Sequence, residues 1–171
     1  IVENPYIEYV HFIDADCELD EGWLVKALAV LEQSSQIAIV SGRLREKYRT
    51  ESVYMRLCDI DWYVKPGKVD RCGGIFTIRR MVFEGLSGFD TSLIAGADPE
   101  FCFRLHNKGW KILSLDAEMG THDSAMTHFS QWWNRCVKVG FGYANGAKWG
   151  GWKKQYRSSF IWGAILPMGI L

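Results

Sequence analysis

Residues 10 to 24 read VHFIDADCELDEGWL, and the fold turns on how this stretch is taken. Val10, Phe12 and Ile13 have the character of a buried strand, yet the run ends on two carboxylates, Asp14 and Asp16. In a strand, side chains at i and i+2 point to one face, so both carboxylates converge just beyond the strand's end. Two ionised carboxylates held that close raise each other's pKa unless a cation lies between them. The pattern asks for a divalent metal or for paired acid–base chemistry. A turn or a helix start is the plainer alternative, since Asp is common in both. Glu18 and Asp20 continue the acidic run, and a helix start accounts for them.

Outward from this stretch, Asp20 can cap a helix through EGWLVKALAVLEQ, with Leu24, Leu28 and Leu31 on one stripe. IAIVSGR (37 to 43) reads as a strand, and Thr50 can cap a second helix through ESVYMRLCDIDWYV. VDRCGGIFTIRR reads as a strand that carries Gly73 and Gly74 inside it. A double glycine there marks either a bulge or the close approach of a ligand or another backbone. MVFEGL is a helical turn, and WKILSL is a further strand. DPEFCFRLHNKG has the punctuation of a helix, with Asp98 at the N-cap, Pro99 in the first turn and Gly109 past the end. DSAMTHFSQWWNRCVKVGFGYA is an amphipathic helix, with Asp123 as its expected cap. Strands alternating with helices predict a layered α/β domain, whose ligands bind beyond the carboxyl ends of the strands. Asp14 and Asp16 stand at such an end.

The 171 residues are 48% hydrophobic, enough for one domain with a sizeable core. The net charge of zero conceals a split. Residues 124 to 171 hold six basic residues (Arg135, Lys138, Lys148, Lys153, Lys154 and Arg157) and no Asp or Glu, so the first 123 carry 14 basic against 20 acidic ones. A basic, aromatic-rich end suits an anionic surface. It lies beside an uncharged apolar run, FIWGAILPMGIL (160 to 171), rather than on a nucleic-acid-reading motif, so lipid headgroups are preferred over nucleic acid. A spanning helix needs about 20 apolar residues, and this run supplies 12. The five cysteines are widely spaced, with no C-x-x-C pair, and indicate neither a zinc ribbon nor a disulfide framework.

FIDADCELDEGWL, then CGGIFTIRRMVFEGLSGFDTSLIAGADPEFCFRLHNKGW, then THD together resemble the later part of a family 2 glycosyltransferase catalytic domain. The resemblance covers residues 8 to 146. It implies a GT-A (Rossmann-like) fold incomplete at its N-terminus, with residues 1–147 as the C-terminal part of the catalytic domain. Residues 148–171 would be a basic aromatic linker and the start of a membrane segment. It implies transfer of a sugar, with inversion, from a nucleotide-diphosphate sugar to a glycan or lipid-linked hydroxyl, on the cytoplasmic face of a membrane. By the same resemblance Asp14, Asp16 and His122 would hold Mn²⁺ or Mg²⁺, and Gly73, Gly74 and Arg80 would line the substrate space. Asp98 would be the catalytic base. The family commonly has two acids there, and this chain has Ala97 in place of the first, which leaves Glu100 as a possible substitute. QWWNR (131 to 135) differs in spacing from the Q-x-x-R-W signature of processive members, so no acceptor role is carried onto it.

The chemistry agrees with this reading on its own terms. Sugar transfer passes through an oxocarbenium-like state while charge accumulates on the leaving diphosphate. A hard cation on carboxylate oxygens neutralises that charge, and a further carboxylate takes the acceptor's proton. Two rivals remain. A haloacid-dehalogenase-type phosphatase also places D-x-D after an apolar strand, but it needs a later acidic cluster that this chain lacks. A degenerate domain that binds sugar nucleotide without turnover would tolerate Ala97.

Overall fold

The computed structural model describes residue 4, residues 6 to 148 and residues 153 to 161. The elements follow in the order β1 (Tyr9–Phe12), β2 (Cys17–Leu19), α1 (Trp23–Gln33), β3 (Ile37–Glu46), α2 (Val53–Asp61), β4 (Gly67–Val69) and β5 (Phe76–Arg79). Then come α3 (Arg80–Gly85), α4 (Ala97–Asn107), β6 (Lys111–His122), α5 (Phe129–Lys148) and α6 (Lys153–Phe160). The strands form one mixed sheet in the order β1-β5-β3-β6-β2, with β4 also on β6. Strands β3 and β6 run parallel from Ile37↔Lys111 to Glu46↔His122, and the other pairings are antiparallel. Because β1 and β3 both run antiparallel to β5, the carboxyl ends of β1, β3 and β6 come out on one side. Asp14 and His122 are therefore delivered to the same end of the sheet.

Helices cover both faces. Trp23, Ala27 and Leu31 of α1 pack on Val40, Ile75 and Met119. Phe101, Cys102 and Leu105 of α4, with Val82 of α3, pack on Ile39, Phe76, Ile78 and Ile112 on the other face. Phe12, two residues before Asp14, lies 5.0–5.3 Å in ring centroid from Phe76, Phe83 and Phe89. This aromatic cluster fixes the point from which the acidic turn departs. The close fit of α1 depends on Gly42, where an added Cβ would come within 2.5 Å of the Trp23 ring. Arg79 closes the far end of α1, donating from Nε to the Ile37 carbonyl (2.9 Å) and from Nη2 to the carbonyls of Ser34 (3.1 Å) and Leu31. A guanidinium at a helix C-terminus satisfies orphan carbonyls and meets the dipole favourably.

Several expected boundaries move, each for a backbone reason. Helix α1 starts at Trp23 from a left-handed Gly22 (φ 83°), and Asp20 supplies a carbonyl to Trp23 N rather than a side-chain cap. The start sets the buried stripe to Trp23, Ala27 and Leu31, leaving Leu24 exposed. Ser52, not Thr50, caps α2 by accepting from Met55 N (3.0 Å). Gly73 and Gly74 lie in the loop between β4 and β5 rather than inside a strand. The N-cap of α4 is Gly96 (φ 86°), which puts Asp98 within the first turn, not at the cap. Asp123 accepts from Ala125 N (2.9 Å) in a local turn, and α5 begins six residues later. There the Gln131 amide oxygen accepts from the Thr127 and His128 N–H groups, both at 2.9 Å.

Candidate active site

The acidic turn after β1 is stitched to the end of β6 in three places. Cys17 N donates to the Asp14 carbonyl (3.1 Å), which folds the turn back, and Asp123 N donates to the Asp16 carbonyl (3.0 Å). Cys17 stands directly opposite His122 in the β2–β6 pairing. Side chains paired in this way across an antiparallel ladder share a face at about 5 Å. His122 Nε2 lies 3.2 Å from Asp16 Oδ2. Its ring is stacked on the Trp62 indole at 4.5 Å between centroids and 10° between planes. Ligand-capable atoms of Asp14, Cys17 and His122 all lie within 4.8 Å of one another. Burial raises the Cys17 thiol, and the charges of Asp14 and Asp16 push the same way, to about 12.

Gly74 faces the same carboxylate, since a Cβ there would stand 3.4 Å from Asp14 Oδ2. Its neighbour Gly73 has φ 72°, a conformation that favours glycine. The loop thus brings backbone, with no side chain, up to Asp14. Asp98 approaches from α4. Burial pushes its carboxyl above the usual carboxylate range, and the charge of Asp14 adds to this, while its own backbone N–H and Arg71 pull it back. That coupling places Asp98 within electrostatic reach of Asp14, in a setting that favours taking up a proton.

Two other expected site residues are committed elsewhere. Glu100 is buried and forks onto Arg104, at 2.6 Å to Nε and 2.7 Å to Nη2. Arg104 in turn donates to the Gly88 carbonyl (2.8 Å) and the Leu86 carbonyl, so Glu100 anchors α4 to the loop after α3. Arg80 lies at the opposite end of the β1–β5 pair from Asp14, where it pairs with Glu84 (2.7 Å) and the Asn4 carbonyl. Arg135 donates to Asp61 (2.7 Å) and ties α5 to α2.

Beneath the site lies a polar brace made of residues without a motif of their own. Asp59 of α2 accepts from Arg43 (3.0 Å) and from Glu46 N (3.0 Å). The buried Glu46 carboxylate accepts from Tyr48 N and Ser124 N, both at 3.1 Å. Lys47 N donates to the His122 carbonyl (3.0 Å). Together these contacts hold the chain on either side of His122. The one local sign of the site beyond the motifs is Cys17, immediately after the second aspartate.

No protein-family model matches this sequence, and no curated protein does. Among solved structures the fold is similar to "Mannosyltransferase PcManGT from Pyrobaculum calidifontis in complex with GDP-Man and Mn2+", with a TM-score of 0.57 and 18% identity. The match covers 82% of this chain and 39% of that one. The fold is glycosyltransferase-like. Among the described residues no helix is long and apolar enough to cross a membrane. The apolar run expected to begin a membrane segment lies outside the described residues after Ile161.

Proposed function

We propose that this chain is the C-terminal part (residues 1–147) of an inverting glycosyltransferase of the family 2, GT-A type, which moves a sugar from a nucleotide-diphosphate donor to a hydroxyl acceptor. The observation that carries this reading is the meeting of Asp14 and His122 at one end of the sheet, with Asp98 within electrostatic reach of Asp14. Asp14, Asp16 and His122 are a donor set that suits Mn²⁺, through two carboxylates and an imidazole, and Mg²⁺ through the carboxylates. A divalent cation held there would neutralise charge on the departing diphosphate. The Gly73–Gly74 loop would admit the donor against Asp14. Asp98 would accept the proton of the acceptor hydroxyl as its oxygen bonds to the anomeric carbon and the bond to the diphosphate breaks. A raised carboxyl is suited to that role, because its proton affinity is closer to what the transfer demands. The GDP-Man and Mn²⁺ bound by the structurally similar mannosyltransferase support a sugar-nucleotide donor and a metal.

The test is donor turnover by the full-length protein across a panel of nucleotide-diphosphate sugars with Mn²⁺. Asp14→Asn should abolish metal-dependent transfer while the fold survives. Asp98→Asn should slow the chemical step by roughly 10²- to 10⁴-fold with donor affinity little changed. Normal turnover by Asp98→Asn would remove it from the proton path, and full activity in EDTA would remove the metal.

The proposed location on a membrane is supported by the other end of the chain. Phe129, Trp133, Val137 and Phe141 form an exposed stripe along α5, in the segment with six basic residues and no acidic one. That combination supports an enzyme seated on the cytoplasmic face of an anionic membrane, with a glycan or lipid-linked acceptor. Each Lys or Arg near such a surface contributes about 1 kcal/mol. Removing residues 148–171 should therefore release the full-length protein from anionic vesicles, and unaltered binding after removal would refute those residues as the membrane contact.

A further inference from the structure

We propose that Cys72 and Cys102 are a peroxide-oxidisable pair whose disulfide clamps the Gly73–Gly74 loop to the helix that carries Asp98. The two thiols lie 30 residues apart in the chain, yet their sulfurs stand 3.5 Å from each other. Both are free, and both are buried in the core on the α4 face of the sheet. Buried cysteines often do no more than fill space. The place of this pair sets it apart. Cys72 immediately precedes Gly73 and Gly74, the bare backbone that approaches Asp14, and its Sγ lies 3.4 Å from the Gly73 carbonyl oxygen. Cys102 follows Asp98 by one turn of α4, so the two share a face of that helix. Asp98 is near enough for its charge to raise the Cys72 thiol. One sulfur thus belongs to the loop that would admit the donor, and the other to the helix of the proposed base.

A disulfide bond is about 2.05 Å long, so the sulfurs must close by about 1.5 Å. That movement falls on the loop, because the Glu100–Arg104 fork already ties α4 to the carbonyls of Leu86 and Gly88. Gly73 and Gly74 move with it relative to Asp14. Cys72, 6% exposed against 1% for Cys102, meets the oxidant first. Its thiolate attacks one peroxide oxygen. The sulfur–oxygen bond forms as the oxygen–oxygen bond breaks, and the departing hydroxide leaves as water with the thiol's proton. The Cys102 sulfur then attacks the sulfenic sulfur, and the second oxygen leaves as water with the Cys102 proton. Two thiols and one peroxide become one disulfide and two waters, so the sulfurs lose the two electrons that the peroxide gains. Burial holds the Cys72 thiol well above its ordinary value, which makes the first step slow. The second is fast, because the resolving sulfur is already in contact. Slow entry with fast closure favours the reversible bridge over further oxidation.

The test treats the reduced full-length chain with hydrogen peroxide, alkylates the remaining thiols after denaturation, and maps the peptides without reduction. A peptide cross-linked through Cys72 and Cys102 should accumulate, and dithiothreitol should return both thiols. Hydrogen exchange of the amides in residues 70 to 75 should slow by about tenfold once the bridge forms, since the clamp suppresses local opening. Cys102→Ser should lose the cross-link and the slowed exchange, and Cys136→Ser, which changes a thiol on α5, should keep both. The peptide map of the unaltered chain does not depend on the folding of a variant. The effect on catalysis rests on the glycosyltransferase reading. A tethered loop no longer adjusts to admit the donor, so the bridge should lower turnover by about tenfold, with recovery on reduction. Thiols at 72 and 102 that survive peroxide, bridges to other cysteines in their place, or unchanged exchange with the bridge formed would each overturn the proposal. Turnover that the bridge leaves untouched would overturn the clamp as a switch while the glycosyltransferase reading stands. A bridge with slowed exchange in a protein that transfers no sugar would uphold the thiol pair and refute that reading.

Discussion

Between β3 and α2, Asp59 and Glu46 are buried, and each of their carboxylate oxygens accepts from an arginine or a backbone N–H. At the ends of β1 and in the first turn of α4, Asp14 and Asp98 have no cationic partner within ion-pair distance among the described residues, and Asp98 is pushed towards protonation. Both groups sit in the same half of the sheet, and they are held in opposite ways. The first pair spends its acceptors inside the protein and so fixes structure. The second has no cation to offset its charge, and at Asp98 burial and the Asp14 charge outweigh the pull of its backbone N–H. Glu100 belongs with the first group despite its place two residues after Asp98, because Arg104 occupies both of its oxygens.

The contrast breaks most visibly in stability. Asp59→Ala removes the partner of Arg43, whose Nε and Nη1 are already buried without one. An uncompensated buried charge costs about 3–5 kcal/mol. Asp14→Ala, at an exposed position, should stay within about 0.5 kcal/mol of wild type. Urea unfolding of the two variants measures the difference, and equal losses would erase the distinction between committed and free carboxylates.

A smaller effect is expected at Trp62, whose indole covers one face of His122. Stacked aromatic pairs contribute about 0.5–1.5 kcal/mol beyond their burial. Trp62→Ala should then weaken Mn²⁺ binding by up to about tenfold, read from the free Mn²⁺ signal in electron paramagnetic resonance. Trp62→Phe should restore most of it. Equal affinities in all three proteins would mean that His122 is oriented by the Asp16 contact and the β6 backbone alone.

These two regions also differ in how far they could be read in advance. Asp14 is legible because an apolar run shows where a strand ends, but β1 stops at Phe12 and the two aspartates stand in a turn, so period-two alternation does not set their directions. His122 is singled out by the family resemblance alone, since nothing local to it marks a ligand. The committed acids are not. Asp59 and Glu46 meet only because β3 continues to residue 46 and α2 packs back over it, and nothing local in either segment encodes that encounter. The N-terminal boundaries of α1 and α4 moved because glycines in left-handed conformation, Gly22 and Gly96, start those helices where aspartate caps were expected. A side-chain cap can be read from residue type, but a backbone turn is set by what the helix must pack against. Gly42 shows the same dependence, since its need for a bare Cα appears only once Trp23 is seated on it.

The finest separation between free and committed carboxylates is the pH dependence of stability at Asp98, measured in metal-free protein with EDTA. Its folded-state pKa is raised, chiefly by burial and then by Asp14, above an unfolded value near 3.9. The folded state therefore holds the proton more tightly than the unfolded chain. By linkage, the contribution is fully present below the unfolded pKa and is lost as pH rises through the folded one. Two effects compete once the group ionises. The N-terminal turn of α4 favours a negative charge by about 0.3–1 kcal/mol, while desolvation and the Asp14 charge oppose it. The raised pKa says that opposition wins. Asp98→Asn keeps the shape and removes the charge, so above the folded pKa the variant should be the more stable protein. Below about pH 4 the two unfolding curves should converge, because wild-type Asp98 is then neutral in both states. A variant less stable than wild type at neutral pH would show the helix dipole prevailing, and Asp98 would move into the committed group with Glu100.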